Sequence, residues 1–249
     1  MTFMTRIPLG SFASHDPADL PASAIYFPVV GLIVALGGAL VFALASFLWS
    51  TPVAVLLSMC ATVLMSGAFH EDALADALDG FGGGWTPERV LAIMKDSRVG
   101  SYALVGVVLV LGVKAAVLID VASQSRAAGI ARALIAAHVL GRWSSVPLIW
   151  HYPYVRPASD AERPSAGRPF VASVTIEQLV AATLIAVVLV ALAVGALDGL
   201  VVVIVALGVT ALAGTYFRRR IGGITGDALG AANQIVELSV YLALAARVS

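Results

Sequence analysis

Seven blocks of apolar residues, separated by short polar punctuation, make up most of this chain. They fall at about 26–48, 52–69, 102–122, 127–150, 178–196, 198–217 and 228–247. Each is close to the roughly 20 helical residues that cross a hydrocarbon core about 30 Å thick. The pattern predicts an all-α fold, a single polytopic membrane domain over residues 1–249 with about seven transmembrane helices. Ser50–Thr51–Pro52 makes a tight turn between the first two blocks, and a glycine or polar cluster marks most other boundaries. Two longer polar segments remain, 70–101 and 151–177. In the first, Thr86–Pro87–Glu88 reads as a helix start with proline at the first helical position. The amphipathic stretch Val90–Met94 that follows is expected at the membrane interface. No internal repeat is visible.

Composition supports the membrane reading. Of 249 residues, 60% are hydrophobic and 12% charged, against about 25% charged in soluble domains. Net charge is zero, which argues against a broad nucleic-acid surface. The single cysteine, Cys60, lies inside an apolar block and cannot form an intrachain disulfide. Residues 1–25 carry Pro8, Pro17 and Pro21 with Asp16 and Asp19, so no secretory leader is expected there. With seven alternating spans, one face collects Arg6, Arg89, Lys95, Arg98, Arg156, Arg163, Arg168 and Arg218–Arg219–Arg220. The other holds little beyond Arg126, Arg132 and Arg247. This asymmetry places the N-terminus, and the loops near 70–101 and 218–227, on the cytoplasmic side. Trp143, Trp150, Tyr152 and Tyr154 read as an aromatic belt at a membrane boundary.

The candidate chemistry gathers in those loops. His70–Glu71–Asp72–Ala73–Leu74–Ala75–Asp76–Ala77–Leu78–Asp79–Gly80 follows directly on the second block. Alanine and leucine between the acids predict that the helix runs on through it. Asp72, Asp76 and Asp79 then fall at i, i+4 and i+7, on one helix face. Three crowded carboxylates with no lysine or arginine among them favour a hard divalent cation, magnesium first. The plainer reading is a solvated helix end. Phe81–Gly82–Gly83–Gly84 is expected as a flexible break whose backbone could approach a phosphate. Lys95–Asp96–Ser97–Arg98 adds two cations, a hydroxyl and a fourth acid, a set suited to a diphosphate held between metal and cations. It reads equally as a juxtamembrane basic cluster.

A third cluster runs from Arg218 to Asp227, with Thr225 and Asp227 at a glycine-rich helix start. Such an N-terminus binds anions, though Asp227 would also serve as a simple cap. Glu237, Lys114 and Arg142 lie inside apolar blocks, where a charge is costly and functional by default unless paired. His70 adjoins the acids and is a candidate for proton transfer. His15, His138 and His151 read as structural or interfacial.

Taken together, these blocks resemble the cobalamin synthase family, the adenosylcobinamide-GDP ribazoletransferases, over nearly the whole chain. The likeness begins at Phe3–Met4–Thr5–Arg6–Ile7–Pro8 and Phe27–Pro28–Val29–Val30–Gly31. It is strongest in His70–Gly80, in Met94–Gly100, and in Gly222–Gly230 with Glu237 behind it. Ala73 stands where the family pattern usually has glycine, and Gly141 where serine is expected. The resemblance implies a magnesium-dependent inner-membrane enzyme. It would join adenosylcobinamide-GDP to α-ribazole or its 5′-phosphate, releasing GMP and forming adenosylcobalamin or its phosphate, the final assembly step of cobalamin biosynthesis.

Carried onto this chain, Asp72, Asp76, Asp79 and Asp96 would hold one or two Mg²⁺ ions. Lys95, Ser97, Arg98, Arg142, Thr225 and Glu237 would contact substrate. Asp227 would be a base or further ligand, with His70 assisting proton transfer. The expected partners are the corrinoid-GDP and α-ribazole substrates and the bilayer, with no nucleic acid, and a homo-oligomer is compatible with this reading. Two rivals stand beside it. Asp76–Gly80 also resembles the core of CDP-alcohol phosphotransferases, but Gly83–Gly84 follow where that family continues with Ala-Arg. A cation-coupled transporter would use Glu237, Lys114 and Arg142 as its intramembrane pathway.

Overall fold

The computed structural model describes residues 4–6, 22–155 and 174–248. His15, the acids and prolines of residues 8–21, and the basic Arg156, Arg163 and Arg168 lie outside this set, as does the side chain of Arg126. Among the described residues the chain is helical. After a 3₁₀ turn at Ala22–Tyr26 come α1 (Phe27–Ala45), α2 (Thr51–Ser66), α3 (Phe69–Gly83) and α4 (Pro87–Met94). Then follow α5 (Ser101–His151), α6 (Ile176–Val194), α7 (Ala196–Ile221) and α8 (Gly226–Val248). The punctuation works as expected. Proline occupies the first turn of α1, α2 and α4. The Thr86 hydroxyl accepts the Arg89 N–H at 3.3 Å to start α4. Thr175 and Gln178 close a reciprocal capping box on α6.

Five of these helices are long and apolar enough to cross a membrane, or six if α2 and α3 form one broken span. That pair departs from the unbroken helix expected through the acidic segment. Gly67 and Ala68 both take left-handed backbone, with φ of 68° and 58°, and α3 leaves α2 at 88°. The alanine-rich run favours helix on both sides of the junction, yet Gly67 stops the first helix at its left-handed cap. A second departure follows. α3 continues through Phe81–Gly82–Gly83 in place of a flexible break. The glycines there are packing positions: a Cβ on Gly84 would lie 2.7 Å from the Val90 backbone, and one on Gly82 2.6 Å from the Tyr102 ring.

α5 joins the third and fourth apolar blocks in 51 residues. It cannot be straight. Lys114 and His138 both reach the Glu237 carboxylate, at 2.8 and 3.0 Å, yet a straight helix would set them about 36 Å apart. The chain therefore folds back between two arms, and the second arm forms the centre of the molecule. Ala136, Ala137, Val139, Leu140 and Val146 are buried there. α1 crosses this arm closely, since a Cβ on Gly31 would lie 2.7 Å from the His138 carbonyl carbon. Trp143 belongs to this core and not to an aromatic belt, and its indole N–H donates to Thr183 Oγ1 at 3.0 Å.

Candidate active site

The acidic face is built where α3 crosses α8. The two helices meet at Ala73 and Gly230, so tightly that a Cβ on Gly230 would collide with the Ala73 methyl. This crossing sets Asp227, in the first turn of α8, against the acids of α3. Asp76 is half-buried and feels Asp227 first among its charged neighbours, then Asp72, Asp79 and Lys95. Asp227 in turn faces Lys95 and Asp72. Four carboxylates and one ammonium from three segments thus share one electrostatic neighbourhood. Among the described residues no three acids or histidines are close enough to form a metal site by themselves.

Asp79 shares the α3 face but has a different environment. It is buried, and its two oxygens accept the Gly100 N–H at 2.6 Å and the Ala103 N–H at 2.9 Å. These are donors that the start of α5 would otherwise leave unpaired. Gly100 is required at this spot, because a Cβ there would lie 2.6 Å from Asp79 Oδ1. Asp96 also stands apart from the other acids. Arg98 grips it in a two-pronged ion pair, with Nε to Oδ1 at 2.9 Å and Nη2 to Oδ2 at 2.6 Å. The guanidinium holds the Asp96 carboxyl down at about 2. Lys95, Ser97 and Arg98 are all exposed on this loop.

The turn into α8 is fixed from both sides. Gly222 takes left-handed backbone at φ 85° and ends α7. Ile224 then pairs with the segment after α5, donating to the Pro153 carbonyl and accepting from the Val155 N–H, both at 2.9 Å. Thr225 caps α8, its hydroxyl accepting the Ala228 N–H at 3.0 Å. With that cap supplied, Asp227 is released to face α3. Arg220, legible in the sequence only as a topology anchor, donates to the Phe81 and Gly84 carbonyls at 3.1 and 2.7 Å. It caps the C-terminal end of α3.

Beneath the acids lies a buried polar chain that composition could not pair. Lys114 Nζ donates to Glu237 Oε1 at 2.8 Å and to Gln234 Oε1 at 2.6 Å. Gln234 Nε2 donates to Glu71 Oε1 at 3.3 Å. His138 Nδ1 lies 3.0 Å from Glu237 Oε2, and Tyr241 Oη lies 3.5 Å from His138 Nε2. Arg142 Nη1 lies 3.1 Å from the same Nδ1, so Glu237 and Arg142 converge on one ring nitrogen of His138. Arg142 stands one turn on, with Nη1 3.3 Å from the His138 carbonyl. Glu237 and Arg142 are thus buried partners of other side chains, separate from the exposed Lys95–Arg98 loop. Gln234, Glu71 and Tyr241 carry no individual mark in the sequence, and His138, expected as structural or interfacial, belongs to this chain. Their signal was spacing, because Gln234, Glu237 and Tyr241 share one face of α8, as His138 and Arg142 do of α5. Glu71 Oε2, Arg142 Nε and both amide atoms of Asn233 are buried here without a partner among the described residues. His70 is buried against a small cavity of about 50 Å³ beneath the start of α8, with Ser145 and Gly226 in its wall.

A family model described as cobalamin-5-phosphate synthase matches residues 1–245. An adenosylcobinamide-GDP ribazoletransferase of Shewanella amazonensis is 41% identical, over 98% of this chain and 92% of its own length. One from Shewanella frigidimarina is 43% identical over 99% and 92%, and one from Leptothrix cholodnii 43% over 97% and 91%. No solved structure matches the chain.

Proposed function

The chain belongs to the cobalamin-5-phosphate synthase family, and from that membership we propose that it transfers the adenosylcobinamide-phosphate group of adenosylcobinamide-GDP to α-ribazole or its 5′-phosphate. The observation that carries the reading is the meeting of Asp72, Asp76, Asp227 and Lys95 at the α3–α8 crossing. A hydroxyl of the ribazole attacks the corrinoid-side phosphorus, and a new P–O bond forms. The bond from that phosphorus to the bridging oxygen breaks, and GMP leaves with the electron pair. The hydroxyl proton passes to a carboxylate, the role we assign to Asp227. Such transfers are accelerated mainly by positioning and by neutralising phosphate charge.

The donor set fits magnesium. Its side chains offer oxygen alone, and Mg²⁺ commonly takes one or two carboxylates and fills its shell with substrate phosphate and water. Asp72 and Asp76 would hold the ion, which neutralises charge on the diphosphate when bound. Lys95, and Arg98 on release from Asp96, contact phosphate oxygens, while Ser97 offers a hydroxyl beside them. Asp79 holds the start of α5, and Thr225 holds the start of α8. Glu237 anchors Lys114, which holds Gln234 against Glu71 of the acidic helix, and Arg142 meets His138 beside it.

We place the site on the cytoplasmic face of the inner membrane. Arg89, Lys95, Arg98 and Arg218–Arg220 accompany it, as the positive-inside bias requires. The test is to supply purified protein with α-ribazole and either adenosylcobinamide-GDP or a CDP-alcohol donor. GMP and cobalamin from the first alone support the proposal, and CMP from the second overturns it.

A further inference from the structure

On the side of α3 away from its acids, the structure opens a cleft of about 1040 Å³. Leu74, Leu78 and Phe81 of α3 form one wall, Tyr102 of α5 a second, and Leu212 and Tyr216 of α7 a third. The lining is almost wholly apolar, and Tyr102 and Leu212 are widely exposed in it. Two of the helices that frame the cleft, α7 and the first arm of α5, are among those apolar enough to cross a membrane. Its mouth is marked by charge. The Arg220 guanidinium lies 5.6 Å from the Phe81 ring centre and 5.5 Å from that of Tyr216. It bonds to three neutral oxygens, those of Tyr216, Phe81 and Gly84. Among the described residues no carboxylate forms an ion pair with it. Arg219, one turn beyond Tyr216 on the same face of α7, is exposed.

We propose that this cleft binds the acyl chain of an anionic phospholipid, with the headgroup phosphate at Arg219 and Arg220, which share the face of α7 that carries Leu212 and Tyr216. Two complementarities meet there. The apolar walls replace contacts that a lone cleft would leave unfilled. These cations, with no carboxylate partner among the described residues, attract the phosphate and favour net-negative headgroups over zwitterionic ones. A bilayer-facing cleft without those cations would take any lipid, so the preference is the distinguishing claim. Since α3 is the shared wall, the bound chain would back the helix that carries Asp72 and Asp76. The lipid site itself does not depend on the reaction proposed above.

The test uses the full chain in detergent, read by native mass spectrometry with dioleoyl phosphatidylglycerol or dioleoyl phosphatidylcholine added. The unmodified chain is expected to retain one phosphatidylglycerol at a concentration about tenfold below that needed for phosphatidylcholine. Ala213→Phe, which fills the cleft, is expected to abolish that retention. Arg219→Gln is expected to bring phosphatidylglycerol down to the phosphatidylcholine level. Equal retention of the two lipids by the unmodified chain would overturn the proposal. So would retention unchanged by Ala213→Phe, or a doubled mass that Ala213→Phe reduces to a single one, which would show a second copy covering the cleft.

Discussion

Asp79 and Asp76 sit one turn apart on α3, yet their surroundings differ. Both Asp79 oxygens accept backbone N–H groups of α5, whereas Asp76 faces other carboxylates. Asp79→Ala should therefore lower unfolding free energy by about 1–2 kcal/mol, as lost helix caps do. Denaturant titration in detergent measures it, and activity per folded molecule should survive better than in an Asp76 variant. Lys114 makes a sharper case. Removing one partner of a buried ion pair costs about 3–5 kcal/mol, so Lys114→Met should be strongly destabilised. Adding Glu237→Gln should recover part of that loss, because the uncompensated charge then disappears. Asp96 belongs to the surface. Arg98 keeps its carboxyl at about 2, a depressed value, so the pair persists at every pH well above that and is lost as pH falls through it. Arg98→Gln should move the Asp96 titration up towards the ordinary aspartate range near 3.9, as carbon NMR would record.

At the scale of elements, the α3–α8 crossing decides whether the acids face one another. Gly230→Ala should drive the two helices apart and cut activity at least tenfold, and Ala73→Gly in the same chain should restore much of it. Turnover of the two single variants and the double variant checks this directly. Much of the element plan was legible, because the long apolar blocks mark most of the helices and Pro52 and Pro87 mark two of their starts through their own backbone chemistry. The bend after α2 was harder to see. Helix propensity on both sides of Gly67 outweighed one glycine in a local reading, while the left-handed pair at Gly67–Ala68 is held by tertiary packing. The glycines after Phe81 were misjudged for a related reason. A glycine that permits a turn and one that admits a neighbouring helix look alike until Val90 and Tyr102 are in place.

Across the whole molecule, the polar groups fall into two tiers. Exposed and half-buried acids and cations occupy one end, while a buried chain from Glu71 through Gln234, Lys114 and Glu237 to His138 ties α3, α5 and α8 together below. The sequence exposed the α3 members of the first tier through their spacing, and Lys95 and Asp227 through two further polar clusters. It exposed Lys114, Arg142 and Glu237 as charges out of place, but their pairing depends on the fold-back of α5, which no local pattern encodes. The central claim is that the upper tier, with Asp76 at its middle, carries phosphoryl transfer. GMP release from adenosylcobinamide-GDP and α-ribazole, followed against Mg²⁺ concentration for the unmodified chain and Asp76→Asn, tests it most directly. The account predicts magnesium-dependent release that falls at least a hundredfold in the variant while its thermal unfolding stays unchanged. Release that is independent of Mg²⁺, or that persists in a folded Asp76→Asn chain, would contradict it.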